Sequence, residues 1–286
     1  MTQMARTDGR LALEFEYDAA SSRTQLHVME QRQPLKVVRA FHQEGGAALV
    51  HVHNVSGGVL CGDRLAMDLT VGPGAQAQIT STGATRVYRS RDDGVPAQFL
   101  TQVRLGENAL LEYVPDSLIP FAGARYRQQT VIHMDSGASL FWWEIVAPGR
   151  EARGELFSYH SLDLSFELRV MGVPVATERS NLDPLARPLS SVMRLGPYRY
   201  FSVFYICRQG IVETAWQSLQ KQLLDVAERF SSPVIIWGLG RLPAHGLVVR
   251  ALGQNSRDIS RGLVAFWRIA KQALYGRDAV IPRKTY

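Results

Sequence analysis

Ten residues at 56–65, SGGVLCGDRL, hold three glycines, a cysteine and an aspartate. A phosphate cradle, a reactive thiol, a metal site and a plain turn all draw on such residues. Gly57 and Gly62 have the spacing of a phosphate-binding loop, but Asp63 stands where a lysine must reach the phosphates, and a carboxylate there repels them. Cys61 has no histidine, lysine or helix start beside it to favour its thiolate. The stretch GLGRLPAHG at 238–246 lacks the third glycine of a dinucleotide fingerprint and opens no helix.

Metal and acid–base chemistry have other candidates. His51 and His53, two apart in a strand-like stretch, point to one side and could meet one ion, with Asp63 a turn later. His133, His160 and His245 are isolated and read as structural. Glu144 is the sharpest anomaly, standing alone among Phe141, Trp142, Trp143, Ile145 and Val146. An unpaired buried carboxylate costs several kcal/mol, so it must be paired, protonated or metal-bound, and Arg150 and Arg153 are at hand as partners. No Ser-His-Asp order, HExxH or GxSxG occurs, which leaves Asp63, Glu112, Asp116, Glu144 and Glu178 as the groups on which catalysis would fall. Paired carboxylates on a strand scaffold are the apparatus of a glycoside hydrolase or lyase.

The elements that must position these groups have a period of two from residue 11 to about 210. Leu11, Leu13, Phe15 and Tyr17 share one face, as do Leu65, Met67, Leu69 and Val71, the pattern of half-buried strands. A loose repeat runs through VGPGAQA at 71–77, LGENALL at 105–111 and MDSGASL at 134–140, each a strand, a short turn ending in Ala75, Ala109 or Ala138, and a strand. That spacing suits stacked supersecondary units and favours a mainly β, solenoid-like body of helically wound strands over the alternative, a β-sandwich. After residue 211 the period changes. ETAWQSLQKQLLDVAERF places Trp216, Leu219, Leu223, Ala227 and Phe230 on one helical face, and SRDISRGLVAFWRIAKQALYG repeats the pattern through Ile259, Leu263, Phe266, Ala270 and Leu274. Ser256 or Asp258 is the expected N-cap of this second helix and Gly276 its stop. PVIIWGLG and GLVVRALG, between the helices, read as two buried strands. The expectation is one domain over 1–286: a β-rich body at 1–210 and a helix-strand-strand-helix part at 211–286 packed on it.

With 286 residues and 46% hydrophobic content the chain can bury a sizeable core. Cys61 and Cys207 form no CxxC and suggest neither a disulfide framework nor a zinc site, which fits a reducing, cytoplasmic setting. No membrane span or leader is expected. Of the 32 basic residues 28 are arginine, the cation that protein interfaces favour, and the net charge is +6. No basic run interleaved with aromatics points to nucleic acid.

Five stretches in order, GGVLCGDRL, ITSTGATRVYRS, VPDSLIPFAGARYRQ, WWEIVAPGREARGE and the tail PRKTY, resemble the urease accessory protein UreD family, also called UreH. The resemblance implies a non-enzymatic role in urease maturation: binding the urease apoprotein together with UreF and the GTPase UreG, and helping to deliver nickel, with no tightly bound cofactor and only transient nickel. It also implies a β-rich, helically wound fold with two α-helices.

Carried over residue by residue, Asp63 matches the family's Gly-Asp aspartate, Glu144 the glutamate of its Trp-Glu stretch, and Glu178 in ATERSNLDP an acidic position. All three are thereby expected as transient nickel ligands. Gly57, Gly58, Gly62, Thr82, Arg86, Tyr88 and Arg89 are expected to line an internal passage or an interface, with 56–65 a tight turn on that passage. Cys61 and Arg86 depart from the usual small residue and lysine, and His51 and His53 fall outside the pattern. A carboxylate-dependent carbohydrate-active enzyme on a β-solenoid is the alternative.

Overall fold

Where apolar and polar residues alternate, strands form. The structure, a computed structural model, describes residues 7–90 and 94–282, so Arg283–Tyr286 of the tail motif lie outside the described residues. A hairpin of β1 (Asp8–Asp18) and β2 (Arg23–Arg32) leads through β3 (Leu35–Lys36) and β4 (Ala40–His42) to β5 (Ala48–Asn54). Then come β6 (Arg64–Val71), β7 (Gln76–Ser81), β8 (Thr85–Val87), β9 (Ala97–Leu105), β10 (Leu110–Tyr113), β11 (Leu118–Pro120), β12 (Arg125–Met134) and β13 (Ser139–Val146). A 3-10 turn at Glu151–Arg153 precedes β14 (Ser161–Val170), β15 (Val173–Leu182) and β16 (Tyr200–Arg208). The last elements are α1 (Glu213–Phe230), β17 (Ile235–Arg241), β18 (Gly246–Gly253) and α2 (Ser256–Tyr275).

The strands build two sheets, ordered β15-β14-β12-β9-β6-β1-β2 and β17-β18-β16-β13-β10-β7-β5-β3. From β5 to β13 the chain crosses repeatedly from one sheet to the other. Successive strands of each sheet are therefore parallel, as in β6/β9, β9/β12, β7/β10 and β10/β13. The repeated turns make the crossings. Ala75, Ala109 and Ala138 are each 0% exposed. Their carbonyls accept from the N–H of Leu110 at 3.0 Å, Ser139 at 2.8 Å and Gln209 at 3.0 Å, so the turns stack in a ladder with room for a methyl group and nothing larger.

One core fills the space between the sheets, with Leu13, Leu69, Ile132 and Trp142 among its members. A second lies between the outer face of the second sheet and the helices, with Phe141, Trp143, Phe204, Leu223 and Phe266. β13 serves both: Phe141, Trp143 and Ile145 face the helices, while Leu140, Trp142 and Val146 face inward. Burial on both faces is why SLFWWEIV reads as an almost unbroken apolar run. The same alternation turns Glu144 inward.

Two local expectations are corrected. The N-cap of α2 is Asn255, whose side-chain oxygen accepts from the Asp258 N–H at 2.9 Å, because the residue before the helix has the extended backbone that capping needs. Gly276 ends the helix in the left-handed conformation, as expected. Strand β18 is buried, but in β17 only Ile235 is, because β17 is the last strand of its sheet. Among the described residues no helix is long and apolar enough to cross a membrane.

Candidate functional site

The stretch at 56–65 is the corner between β5 and β6. Gly57 and Gly62 have φ of +77° and +79°, a backbone that side chains disfavour. Val59 docks on the next turn of chain, its N–H donating to Arg86 O at 2.7 Å and its carbonyl accepting from Tyr88 N–H at 2.9 Å. A Cβ on Gly58 would lie 2.4 Å from the Tyr88 ring, so the glycine is what admits that ring. Asp63 is 2% exposed. Its Oδ2 accepts from Leu60 N–H at 2.9 Å and its Oδ1 from Thr7 N–H at 3.3 Å, so the carboxylate staples the corner to the chain entering β1. Cys61 is half-buried, its Sγ 3.4 Å from the Val95 carbonyl.

Glu144 sits where the two sheets face each other. Gln128 of β12 donates to its Oε1 at 2.9 Å, and Trp142 Nε1 donates to the same oxygen at 3.2 Å. Tyr126 donates in turn to Gln128 Oε1 at 3.2 Å, which aims the Gln128 amide nitrogen at the carboxylate. Burial pushes the Glu144 pKa up to about 7 against the lowering effect of these two hydrogen bonds, and the charge of Glu178 adds to the rise. Burial, and then the Glu144 charge, keeps the Tyr113 and Tyr126 phenols protonated. The expected partners are elsewhere: Arg150 binds Glu155 through two hydrogen bonds and lies 4.1 Å above the Phe121 ring. Among the described residues no ion pair reaches Glu144. Glu178, on β15, is held by Arg250 of β18.

Three cavities run between the sheets and share walls. The largest, about 540 Å³, is lined by Glu144, Glu178, Arg250, Tyr205, Phe166 and Leu252 among others. A constriction of about 40 Å³ follows, bounded by Glu144, Val146, Gln128, Asp116, Thr85, Phe99 and Tyr113. The third, about 230 Å³, shares Thr85, Phe99 and Tyr113 with it and reaches Gly57, Gly58, Thr82 and Arg86. Glu144 and Val146 stand at the junction of the first two. Thus Gly57, Gly58, Thr82 and Arg86 meet at one end of the row and Glu144 and Glu178 at the other. Asp63, Gly62, Tyr88 and Arg89 line none of the three. Tyr88 packs edge-on to Phe121 at 4.9 Å, and Arg89 lies against Gly123, where a Cβ would meet its Cγ at 3.0 Å.

The remaining candidates separate. Glu112 faces away from the row, toward the helices, and binds Lys271 and Trp267. His51 packs edge-on to Phe41 at 5.8 Å. Among the described residues no group of three or more His, Cys, Asp or Glu is placed to hold a metal ion, so His51, His53 and Asp63 form no ready-made centre. Sequence reasoning missed Arg250, Tyr126 and Tyr205. Gln128 was within reach, since it closes the stretch VPDSLIPFAGARYRQ.

The fold defines a β-rich scaffold with a row of cavities between its two sheets, lined in part by Glu144, Glu178 and Arg250. The UreD family model, described as UreD urease accessory protein, matches residues 7–286, and the chain belongs to that family. The protein named urease accessory protein UreD of Herpetosiphon aurantiacus is 43% identical over 100% of this chain and 99% of its own length. The protein of that name in Pseudomonas aeruginosa is 32% identical over 95% of this chain and 92% of its own, and that of Acaryochloris marina 31% over 99% and 96%. This chain is therefore an accessory protein with a role in urease maturation and not a catalyst, which removes the carbohydrate-active alternative.

Proposed function

We propose that this protein works in a cytoplasmic complex with UreF, the GTPase UreG and the urease apoprotein, and that nickel bound for the urease active site passes through its row of cavities. The single observation that carries the reading is Glu144, a carboxylate at the junction of two cavities that no ion pair reaches among the described residues. Nickel accepts oxygen ligands, and an ion in transit needs sites weak enough to release it. One carboxylate with water meets that need; a closed four-ligand site would trap the ion. Glu178 offers a second carboxylate at the wide end, shared with Arg250. Asp63 serves differently in this reading, by holding the corner that forms the other end. The body is read as a helical winding of strands and the whole chain as one domain.

The test is nickel content per urease active site after co-production with the urease apoprotein and the accessory proteins. Glu144→Gln combined with Glu178→Gln is expected to lower nickel content severalfold while the complex still assembles. Full nickel loading in the assembled double variant would leave the protein a docking platform without a passage.

A further inference from the structure

Strand β17 ends its sheet, and no strand lies beyond it among the described residues. Its backbone alternates. Leu242 N–H bonds Gly246 O at 3.0 Å and Gln254 N–H bonds Val234 O at 2.9 Å, which fixes the even-numbered residues between them as those paired with β18. Trp237, Leu239 and Arg241 therefore direct their N–H and carbonyl groups outward. Ile235 is already engaged by Ser232.

Free edges are hazards that proteins usually blunt with charge or proline. On the opposite wall of the large cavity β15 carries Pro174, Glu178 and Arg179, and β2 at the far end of its sheet is rich in charge. β17 reads IIWGLGR, with no charge before its final arginine. Its two faces differ. Ile235, Trp237 and Leu239 pack toward the helices, where Trp237 lies 4.9 Å from Phe266. The other face, over the cavity, presents Ile236, 43% exposed, and Gly238. A Cβ built on Gly238 meets nothing within 4 Å. Among the described residues an edge with no strand paired to it, tied to α1 through the Trp237 and Arg241 side chains, thus borders an apolar cavity that this chain's own side chains leave open.

We propose that β17 is a strand-addition site: an extended segment of a partner protein, alternating bulky apolar with polar side chains, pairs with its outer edge and sets the apolar ones over the cavity. The backbone groups dictate an extended partner, and the cavity dictates its apolar alternation. A second copy of this chain fits less well, because β17 paired with itself would bring Gly238 and Gly240 to a space that needs bulk. That the added strand extends the wall beside Glu178 rests on the passage reading; the pairing itself does not.

Single-amide hydrogen–deuterium exchange on the full chain, alone and in the complex with the urease apoprotein and its accessory proteins, tests the proposal. The Trp237, Leu239 and Arg241 amides are expected to slow by about tenfold or more in the complex, while Ile236, Gly238 and Gly240 change little. Unchanged exchange at those three amides in an assembled complex overturns strand addition and leaves the maturation role standing, whereas failure of any complex to assemble overturns both. Slowing in the chain alone, at twice its mass, replaces the partner with self-pairing and overturns the proposal. Gly238 lacks a positive φ and has space for a side chain, so Gly238→Val is expected to fold with an unchanged or higher Tm. Retention of that variant in the complex is expected to fall about tenfold, the loss of one good apolar contact; undiminished retention and protection overturn the role of the cavity.

Discussion

Glu112 and Lys271, 159 positions apart, meet at 2.7 Å with both side chains almost wholly buried. Trp267, one turn earlier on α2, donates to the other Glu112 oxygen at 2.7 Å. The carboxylate thus pins one face of α2 to β10 and fixes how the helix lies on the second sheet. Desolvating both charges offsets much of their attraction, so the pair specifies the arrangement more than it stabilises it.

Removing one partner should be far worse than removing both. Lys271→Met leaves a buried uncompensated carboxylate and is expected to cost about 3–5 kcal/mol in urea unfolding. Glu112→Leu together with Lys271→Met should recover most of that loss. A single-variant loss below about 1 kcal/mol would show that the pair does not hold the helix.

Glu144 makes stability depend on pH. Its folded pKa, about 7, lies above the ordinary 4.5, so between those values the folded state binds the extra proton. Stability is therefore expected to fall as pH rises from 4.5 to 7 and to level off above, a trend that Glu144→Gln should flatten by about 1–3 kcal/mol. Thermal melts of both proteins across that range check it. Parallel curves would mean that the carboxylate is better solvated than its surroundings indicate.

Asp63 acts through backbone contacts, so its loss should register in folding before it registers in nickel transfer. Asp63→Ala abandons the N–H groups of Leu60 and Thr7 and is expected to cost about 1–3 kcal/mol, while Asp63→Asn, which keeps one acceptor oxygen, should cost less. Denaturant melts read alongside nickel content separate the cases. A fully stable Asp63→Ala that still starves urease of nickel would return this carboxylate to the passage.

Much of this protein is legible in its sequence because the signals are local. Alternation along RLAMDLTV, the turn alanines at 75, 109 and 138, and the helical stripe from Trp216 to Ala227 each report burial within a few residues, and each is buried as its pattern requires. The family motifs likewise identify the chain without any coordinates. The environment of a carboxylate is not local. Glu144 looked alone in its strand, yet Gln128 comes from β12, Glu178 from β15 and the Arg250 that holds Glu178 from β18. Nearby Arg150 proved irrelevant to it, being bound to Glu155. Asp63 and Glu144 carried equal promise as acidic residues in motifs, and folding separated them: one faces backbone N–H groups at a corner, the other a cavity between two sheets. Which oxygens remain free is decided by strands that meet only in three dimensions, because a carboxylate's chemistry is set by its solvation and by the charges beside it.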